Sequence, residues 1–269
     1  MSDDAVRLTV EDSVATVTLN RPDVRNALTK PMADELVERF GTIADSDARC
    51  VVLTGAGSVF CAGGDIGAMV DGVTSDVPID RRTEFVAAIN GAIATVHDCR
   101  LPVVAKIDGP VLGAGAGLAL ACDIQLASPE AKIGFGFRRV GMAMDSGVAC
   151  DSGVSYFLPR LVGPNKAKEL VFTGELLDAD TARELGVFTR LFEADSFEAG
   201  VENIVATIAE GPTVALQQAK KLLDRGTEST FEAALDREEA AQAIAFTTED
   251  HEEGANAFIE QREPEFEGR

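Results

Sequence analysis

The sequence predicts an α/β fold, and three observations carry that expectation. Up to about residue 196, stretches patterned like strands alternate with stretches of helical periodicity. From Phe197 onward the pattern is almost wholly helical. Between them, the stretch Leu101 to Ser128 runs from a short apolar strand through a turn and a string of tiny residues into a helix and another strand. Alternating strands and helices indicate a sheet covered by helices, and a helical tail needs a surface to cover.

In chain order, Val6 to Val10 and Val14 to Leu19 alternate apolar and polar residues around Glu11-Asp12-Ser13, a hairpin pattern that Asn20-Arg21-Pro22 ends. Pro31 to Ala44 places Met32, Leu36 and Phe40 at helical spacing, with Pro31 suited to a first turn. Cys50 to Thr54 is apolar and too short for a buried helix, so it reads as a strand; the glycine-rich segment 55–64 follows as a loop. Asp71 to Asp80 is polar and reads as a mobile connection. Arg81 to Asp98 repeats Phe85, Ile89, Ile93 and Val96, an amphipathic helix. Val103 to Ile107 is a buried strand, Gly109-Pro110 a turn, Gly113 to Gly117 a loop, Leu118 to Cys122 a helix and Asp123 to Ala127 a strand. Ala131 to Gly141 reads as extended, with a basic pair, Arg138-Arg139. Helices over Val154 to Leu161, Lys166 to Phe172 and Ala179 to Leu185 precede a strand over Val187 to Phe192. Four helices follow: Phe197 to Glu210, Thr213 to Asp224, Phe231 to Thr247 and Asp250 to Glu260. The composition shift near 197 divides a core, 1–196, from a helical region, 197–269.

Composition narrows the function classes. Acids outnumber bases 45 to 24 for a net charge of −21, which disfavours nucleic acid and anionic membranes as partners. The same excess fits either an ordinary acidic protein or adaptation to a salt-rich cytoplasm, where screening removes the repulsion. No apolar run approaches a membrane span, and Met-Ser-Asp-Asp does not open a signal peptide. The five cysteines, Cys50, Cys61, Cys99, Cys122 and Cys150, lack metal spacing and read as reduced thiols of a cytoplasmic protein. With only His97 and His251 present, a histidine metal site or a serine–histidine triad is poorly supported.

The two glycine-rich loops hold the candidate chemistry. Each follows a buried strand and precedes a helical pattern, and each sets small residues where backbone N–H groups can approach a ligand. Two such donors on separate loops make an oxyanion hole, and Ala62 and Ala114 are the candidates, acting through backbone N–H alone. The bland alternative is that small residues merely permit close helix–strand packing. Gly113-Ala114-Gly115-Ala116-Gly117 lacks the third glycine of a dinucleotide-binding loop, and no lysine with serine or threonine follows for a phosphate loop.

At these residues the chain resembles the crotonase superfamily, the enoyl-CoA hydratase/isomerase family. The resemblance rests on Leu19-Asn20-Arg21-Pro22 with Arg25-Asn26-Ala27-Leu28, Val51 to Gly55, Phe60-Cys61-Ala62-Gly63-Gly64-Asp65, and Asp108-Gly109-Pro110 through Asp123. Leu158 to Gly163, Thr173-Gly174-Glu175 and Ala182 with Leu185-Gly186-Val187 complete it. It implies a spiral of ββα repeats forming two nearly perpendicular sheets, with a C-terminal helical region used in oligomers, a homotrimer or a dimer of trimers. It implies an acyl-CoA thioester as substrate, so that coenzyme A belongs to the substrate and neither a separate cofactor nor a metal is expected. By the same resemblance, Arg25, Ala27, Gly63, Asp65, Ile66, Gly113 and Phe137 are candidate substrate-binding residues, Arg25 pairing with a phosphate.

Family hydratases carry two glutamates that position and activate water. Counted without gaps, their places here hold Gly117 and Phe137, neither of which can exchange a proton. Related isomerases use one carboxylate in the later segment. The repeat Asp145-Ser146-Gly147-Val148 and Asp151-Ser152-Gly153-Val154 offers two candidates, Asp145 and Asp151. Asp151 is preferred because it precedes a helix start near Gly153, with an apolar pocket, from Phe135 and Phe137, needed to offset the helix dipole. The expectation is double-bond isomerisation rather than hydration, beside two alternatives: a hydratase with other acids, or a catalytically silent acyl-CoA binder.

Overall fold

A computed structural model of the protein describes residues 4–65, 79–135 and 149–269. The strands are β1 (Val6–Glu11), β2 (Val14–Leu19), β3 (Cys50–Gly55), β4 (Val103–Ile107), β5 (Pro110–Leu112), β6 (Ile124–Ala127), β7 (Lys132–Gly134), β8 (Leu176–Asp178) and β9 (Arg190–Leu191). The helices are α1 (Lys30–Ile43), α2 (Ile79–His97), α3 (Ala114–Leu120), α4 (Val154–Val162), α5 (Pro164–Thr173), α6 (Ala179–Glu184), α7 (Phe197–Ala209), α8 (Thr213–Gly226), α9 (Phe231–Ala245) and α10 (Glu249–Glu260). The larger sheet has the order β1-β2-β3-β4-β6-β9, and the smaller β5-β7-β8. The β1–β2 hairpin is antiparallel, with Val6 opposite Leu19, and every later pairing in the larger sheet is parallel.

Successive strands alternate between the sheets. β4 joins the larger sheet, β5 the smaller, and α3 follows; β6 and β7 repeat the step. β3 makes the same step through Cys61, which bridges in parallel to Val111 of β5. This is the expected ββα spiral. Its parallel strands are buried on both faces, so β3 reads as an unbroken apolar run. Val51 and Leu53 face the main core, whereas Cys50 and Val52 point the other way. There, with Val104 and Leu126, they meet Phe197, Val201, Val205 and Ala209 of α7. The first helix after the composition shift therefore lies directly on the sheet.

The structure departs from the sequence reading at several points. Pro110, read as a turn residue, opens β5 after Gly109 adopts φ +138°. The segment read as a loop, Gly113 to Gly117, is helical from Ala114. Glycine and alanine are there because the helix packs backbone to backbone: a Cβ on Gly115 would sit 2.6 Å from the Cys61 carbonyl oxygen. The expected strand Val187 to Phe192 narrows to Arg190–Leu191, and three-residue β8 has too little pattern to be read. Residues 71–78 of the connection read as mobile, and residues 136–141 of the extended stretch with Arg138-Arg139, lie outside the described residues. All five cysteines are free. Phe231, Leu235, Ile244, Phe246 and Phe258, expected to meet neighbouring copies, are exposed in the single chain. No helix among the described residues is long and apolar enough to cross a membrane.

Among the described ion pairs that join the helical region to the spiral, Lys220–Asp123 is the one with a buried ammonium. The Asp123 carboxylate accepts the Val103 N–H at 2.7 Å and the Lys220 ammonium at 2.8 Å. Burial pushes the Asp123 carboxyl up from the usual carboxylate range, with Lys220 opposing. Removing one partner of such a pair strands a charge in a poorly hydrated place. Lys220→Met is expected to lower stability by about 3 kcal/mol at neutral pH in urea unfolding. A carboxyl with a raised pKa is destabilising when ionised, so the loss should shrink as acid protonates Asp123. A deficit that is absent, or that is unchanged on acidification, would contradict this role.

Candidate active site

The first glycine-rich loop is held from both sides. On one side the Phe60 N–H donates to the Pro110 carbonyl (3.1 Å) and the Leu112 N–H to the Cys61 carbonyl (2.9 Å). On the other, the Leu28 N–H donates to the Gly63 carbonyl (2.7 Å) and the Asp65 N–H to the Leu28 carbonyl (2.8 Å). Segment 60–65 thus runs between segment 25–28 and the β5–α3 junction.

This arrangement decides which N–H groups are available. The Ala62 N–H, a sequence-based oxyanion candidate, donates to the Arg25 carbonyl at 3.0 Å. It is spent on holding the loop, and the assignment to Ala62 is corrected. Gly63 follows at φ +96°, a left-handed conformation that breaks the alternation of an extended chain. In the parallel bridge between Leu28 and Gly64, the groups bonded to Leu28 come from Gly63 and Asp65. The N–H of Gly64 consequently points away from Leu28, toward the side where the second loop lies. The two loops touch: a Cβ on Gly63 would meet the Leu112 carbonyl oxygen at 2.9 Å and the Ala114 nitrogen at 3.6 Å.

Ala114 retains its assignment. It is the first residue of α3, where an N–H has no intrahelical acceptor. Gly113 caps it at φ 52° and ψ −120°, a conformation open to glycine. The Gly113 N–H itself donates to the Gly134 carbonyl at 3.0 Å, so Gly113 shapes the loop and is not a ligand donor. The N–H groups of Gly64 and Ala114 have no acceptor among the described residues. Burial of the whole helix makes an unpaired N–H there costly unless a ligand oxygen receives it.

The remaining candidates divide between scaffold and surface. Asp65 lies 3.5 Å from the Arg21 guanidinium, and Arg21 also donates to the Ala27 carbonyl at 2.7 Å. These contacts brace the loop. Fully buried Asn26, which the sequence reading passed over, is the centre of that support. Its amide nitrogen donates to the carbonyls of Ala56 (2.9 Å) and Val59 (2.7 Å), while its oxygen accepts the Arg21 N–H at 2.8 Å. The Arg25 side chain is exposed. Burial pushes the Cys61 thiol up to about 12, which removes it as a nucleophile. Ile66, Phe137 and Asp145 lie outside the described residues. Phe135 is fully buried in the main core.

Asp151 is half-buried beside α3. It makes no side-chain cap to α4, whose N-cap is Gly153. Its Oδ1 accepts the Ser152 hydroxyl at 2.8 Å, and burial pushes the carboxyl up from its usual range despite that bond. Ser152 and Gly153 are both left-handed, at φ +57° and +74°. The turn they make is pressed onto α3: a Cβ on Gly117 would sit 1.9 Å from the Ser152 carbonyl oxygen and 2.8 Å from its Cβ. Gly117 lies one helical turn, about 5 Å, along α3 from Ala114, which brings the Asp151 turn beside the oxyanion donors.

A cavity of about 830 Å³ lies elsewhere, lined by Arg49, Arg100, Thr213, Gln217 and Gly268 among others. It includes neither donor nor Asp151. No cluster of metal-ligating side chains occurs among the described residues.

The fold and the paired backbone donors define a class, and comparison with known proteins agrees. The sequence profile of the enoyl-CoA hydratase/isomerase family matches residues 9–269. The chain is 35% identical to a short-chain-enoyl-CoA hydratase of Clostridium acetobutylicum, covering 97% of this chain and 96% of the relative. It is 31% identical to the 1,2-epoxyphenylacetyl-CoA isomerase of Escherichia coli, covering 97% of each. The structure is similar to that of an enoyl-CoA hydratase from Bacillus anthracis, with a TM-score of 0.87, 29% identity and coverage of 98% and 100%. The protein belongs to the enoyl-CoA hydratase/isomerase family, with the crotonase fold.

The packing of Gly117 yields a direct test. Gly117→Ala places a methyl into the Ser152 carbonyl, and overpacking of this kind costs about 2 kcal/mol or more. Thermal unfolding should show a clear loss; an unchanged midpoint would mean the Asp151 turn does not sit on α3.

Proposed function

We propose that the protein isomerises an acyl-CoA thioester by moving a proton with one carboxylate. The observation that carries this reading is the filling of the space beside Gly117 by the Ser152 backbone. A second acid projecting from that turn of α3 has no room. Two-acid activation of water is thereby disfavoured, and among the described residues Asp151 is the candidate proton carrier, Asp145 lying outside them.

In this reading the thioester oxygen sits between the N–H groups of Gly64 and Ala114. Asp151 takes a proton from the carbon next to the thioester. The electron pair passes to the thioester oxygen as an enolate, which the two donors and the start of α3 stabilise. The same carboxyl, its proton exchanging with solvent, then protonates the γ-carbon while the double bond moves into conjugation. A carboxyl raised by burial suits both steps better than an ordinary aspartate does. Arg25, exposed on the segment that braces the first loop, would pair with a phosphate of the coenzyme A moiety. Relatives named for hydratase and for isomerase activity both occur, and the single carboxylate favours the second.

Vinylacetyl-CoA is the probe, with products followed by mass spectrometry in deuterium oxide. The expected product is crotonyl-CoA carrying solvent deuterium, with no gain of a water mass. Asp151→Asn should abolish exchange and leave thioester binding in place. Ala114→Pro removes one donor at a helix position where proline is well tolerated, and should slow turnover about a hundredfold. Rapid conversion of crotonyl-CoA to a hydroxybutyryl thioester would instead make the protein a hydratase. Tight thioester binding without exchange would make it a silent binder.

A further inference from the structure

The turn that carries Asp151 is held by two groups that no part of the mechanism above uses. Asn90, an exposed residue of α2, accepts the Ser152 N–H with its side-chain oxygen at 3.1 Å. The Ser152 hydroxyl donates to Asp151 Oδ1 at 2.8 Å. These bonds are needed for a physical reason. Ser152 is a non-glycine residue at φ +57°, a conformation that L side chains seldom adopt without outside support. It is nevertheless almost completely buried, wedged between α2 and α3. Without the Asn90 acceptor, the Ser152 N–H would be a buried donor with no partner.

We infer that Asn90 and Ser152 are positioning residues for Asp151: Asn90 fixes the left-handed turn, and the Ser152 hydroxyl occupies Oδ1 so that Oδ2 carries the proton. The assignment rests on the reading of Asp151 as the proton carrier. It explains why an acid can stand on a short turn and still hold one orientation. A carboxylate with one oxygen tied presents the other in a fixed direction, which proton transfer between two carbons of one substrate requires.

Among the described residues, few other groups surround Asp151. No titratable side chain lies on α3. On α4, Arg160 stacks on the Tyr156 ring and pairs with Glu228, both at the surface. On α2, His97 is two turns beyond Asn90 and packs against Phe157, while Glu84 lies the better part of two turns before it. Cys150 adjoins Asp151 in the chain and is a free thiol. Burial and the Ser152 hydroxyl are the dominant opposing influences on the Asp151 carboxyl.

The test is the pH profile of kcat/KM for vinylacetyl-CoA isomerisation in the full-length protein. Asp151 must be ionised to start the reaction, so the profile has an acid limb. The Ser152 hydroxyl stabilises the ionised form. Its removal in Ser152→Gly should therefore move that limb to higher pH by about one unit, the size of one hydrogen bond to a charge. Glycine accepts the left-handed conformation, so this variant keeps its fold even if Ser152→Ala or Asn90→Ala does not. Asn90→Ala should lower kcat about tenfold while KM stays within about twofold, as expected of lost orientation rather than lost binding. An acid limb that stays in place in Ser152→Gly overturns the assignment of Ser152. A KM that rises as much as kcat falls in Asn90→Ala overturns that of Asn90. Asp151→Asn separates the two levels of the argument: retained exchange removes the proton-carrier reading itself, whereas lost exchange with an unmoved limb removes only the positioning roles.

Discussion

The site depends on one reversal of the backbone at Gly63. Before it, the Ala62 N–H is turned to the Arg25 carbonyl; after it, the Gly64 N–H is turned the opposite way. The loop can hold this conformation because both edges are bonded, by Leu28 on one side and by the Pro110–Leu112 segment on the other. Buried Asn26 pins the same region through three further hydrogen bonds. A donor aimed at a developing negative charge is useful only if it need not reorganise as the charge forms. The rigidity of this loop is thus part of the chemistry, and it is built almost entirely from main-chain groups.

The same economy governs α3. Its small residues serve two ends that looked like rival explanations in the sequence. They let the helix approach the Cys61 and Ser152 backbones, and that approach places an orphan N–H of the first turn against the other loop. Close packing at Gly117 also decides what else the site can contain. A helix that accepts the Ser152 turn at this distance has no space for a side chain at 117. In the proposed reading, proton transfer then belongs to the turn itself.

Much of the spiral was legible because its strands are short, apolar and closed by glycine or proline. The hairpin and Val103–Ile107 match their patterns almost residue for residue. The helices were legible from periodicity, with ends displaced by a residue or two, as fraying of helix ends leads one to expect. The paired-loop motif was legible, but the donor on the first loop was not. Composition and spacing do not show which N–H is already bonded within the fold, and Ala62 and Gly64 differ only in that. The bracing of the loop by Arg21, through Asp65 and the Ala27 carbonyl, was equally invisible in the sequence. Asp151 was proposed from its place before a helix, whereas the bond between Asn90 and Ser152, which in turn bonds Asp151, arises only through the long-range packing of α2 on the turn before α4.

The most direct measurement is a crystal structure with an unreactive acyl-CoA thioester analogue bound. Its carbonyl oxygen should lie about 3 Å from the backbone nitrogens of both Gly64 and Ala114. A carbonyl oxygen bonded to the Ala62 nitrogen, or to neither loop, would contradict the assignment.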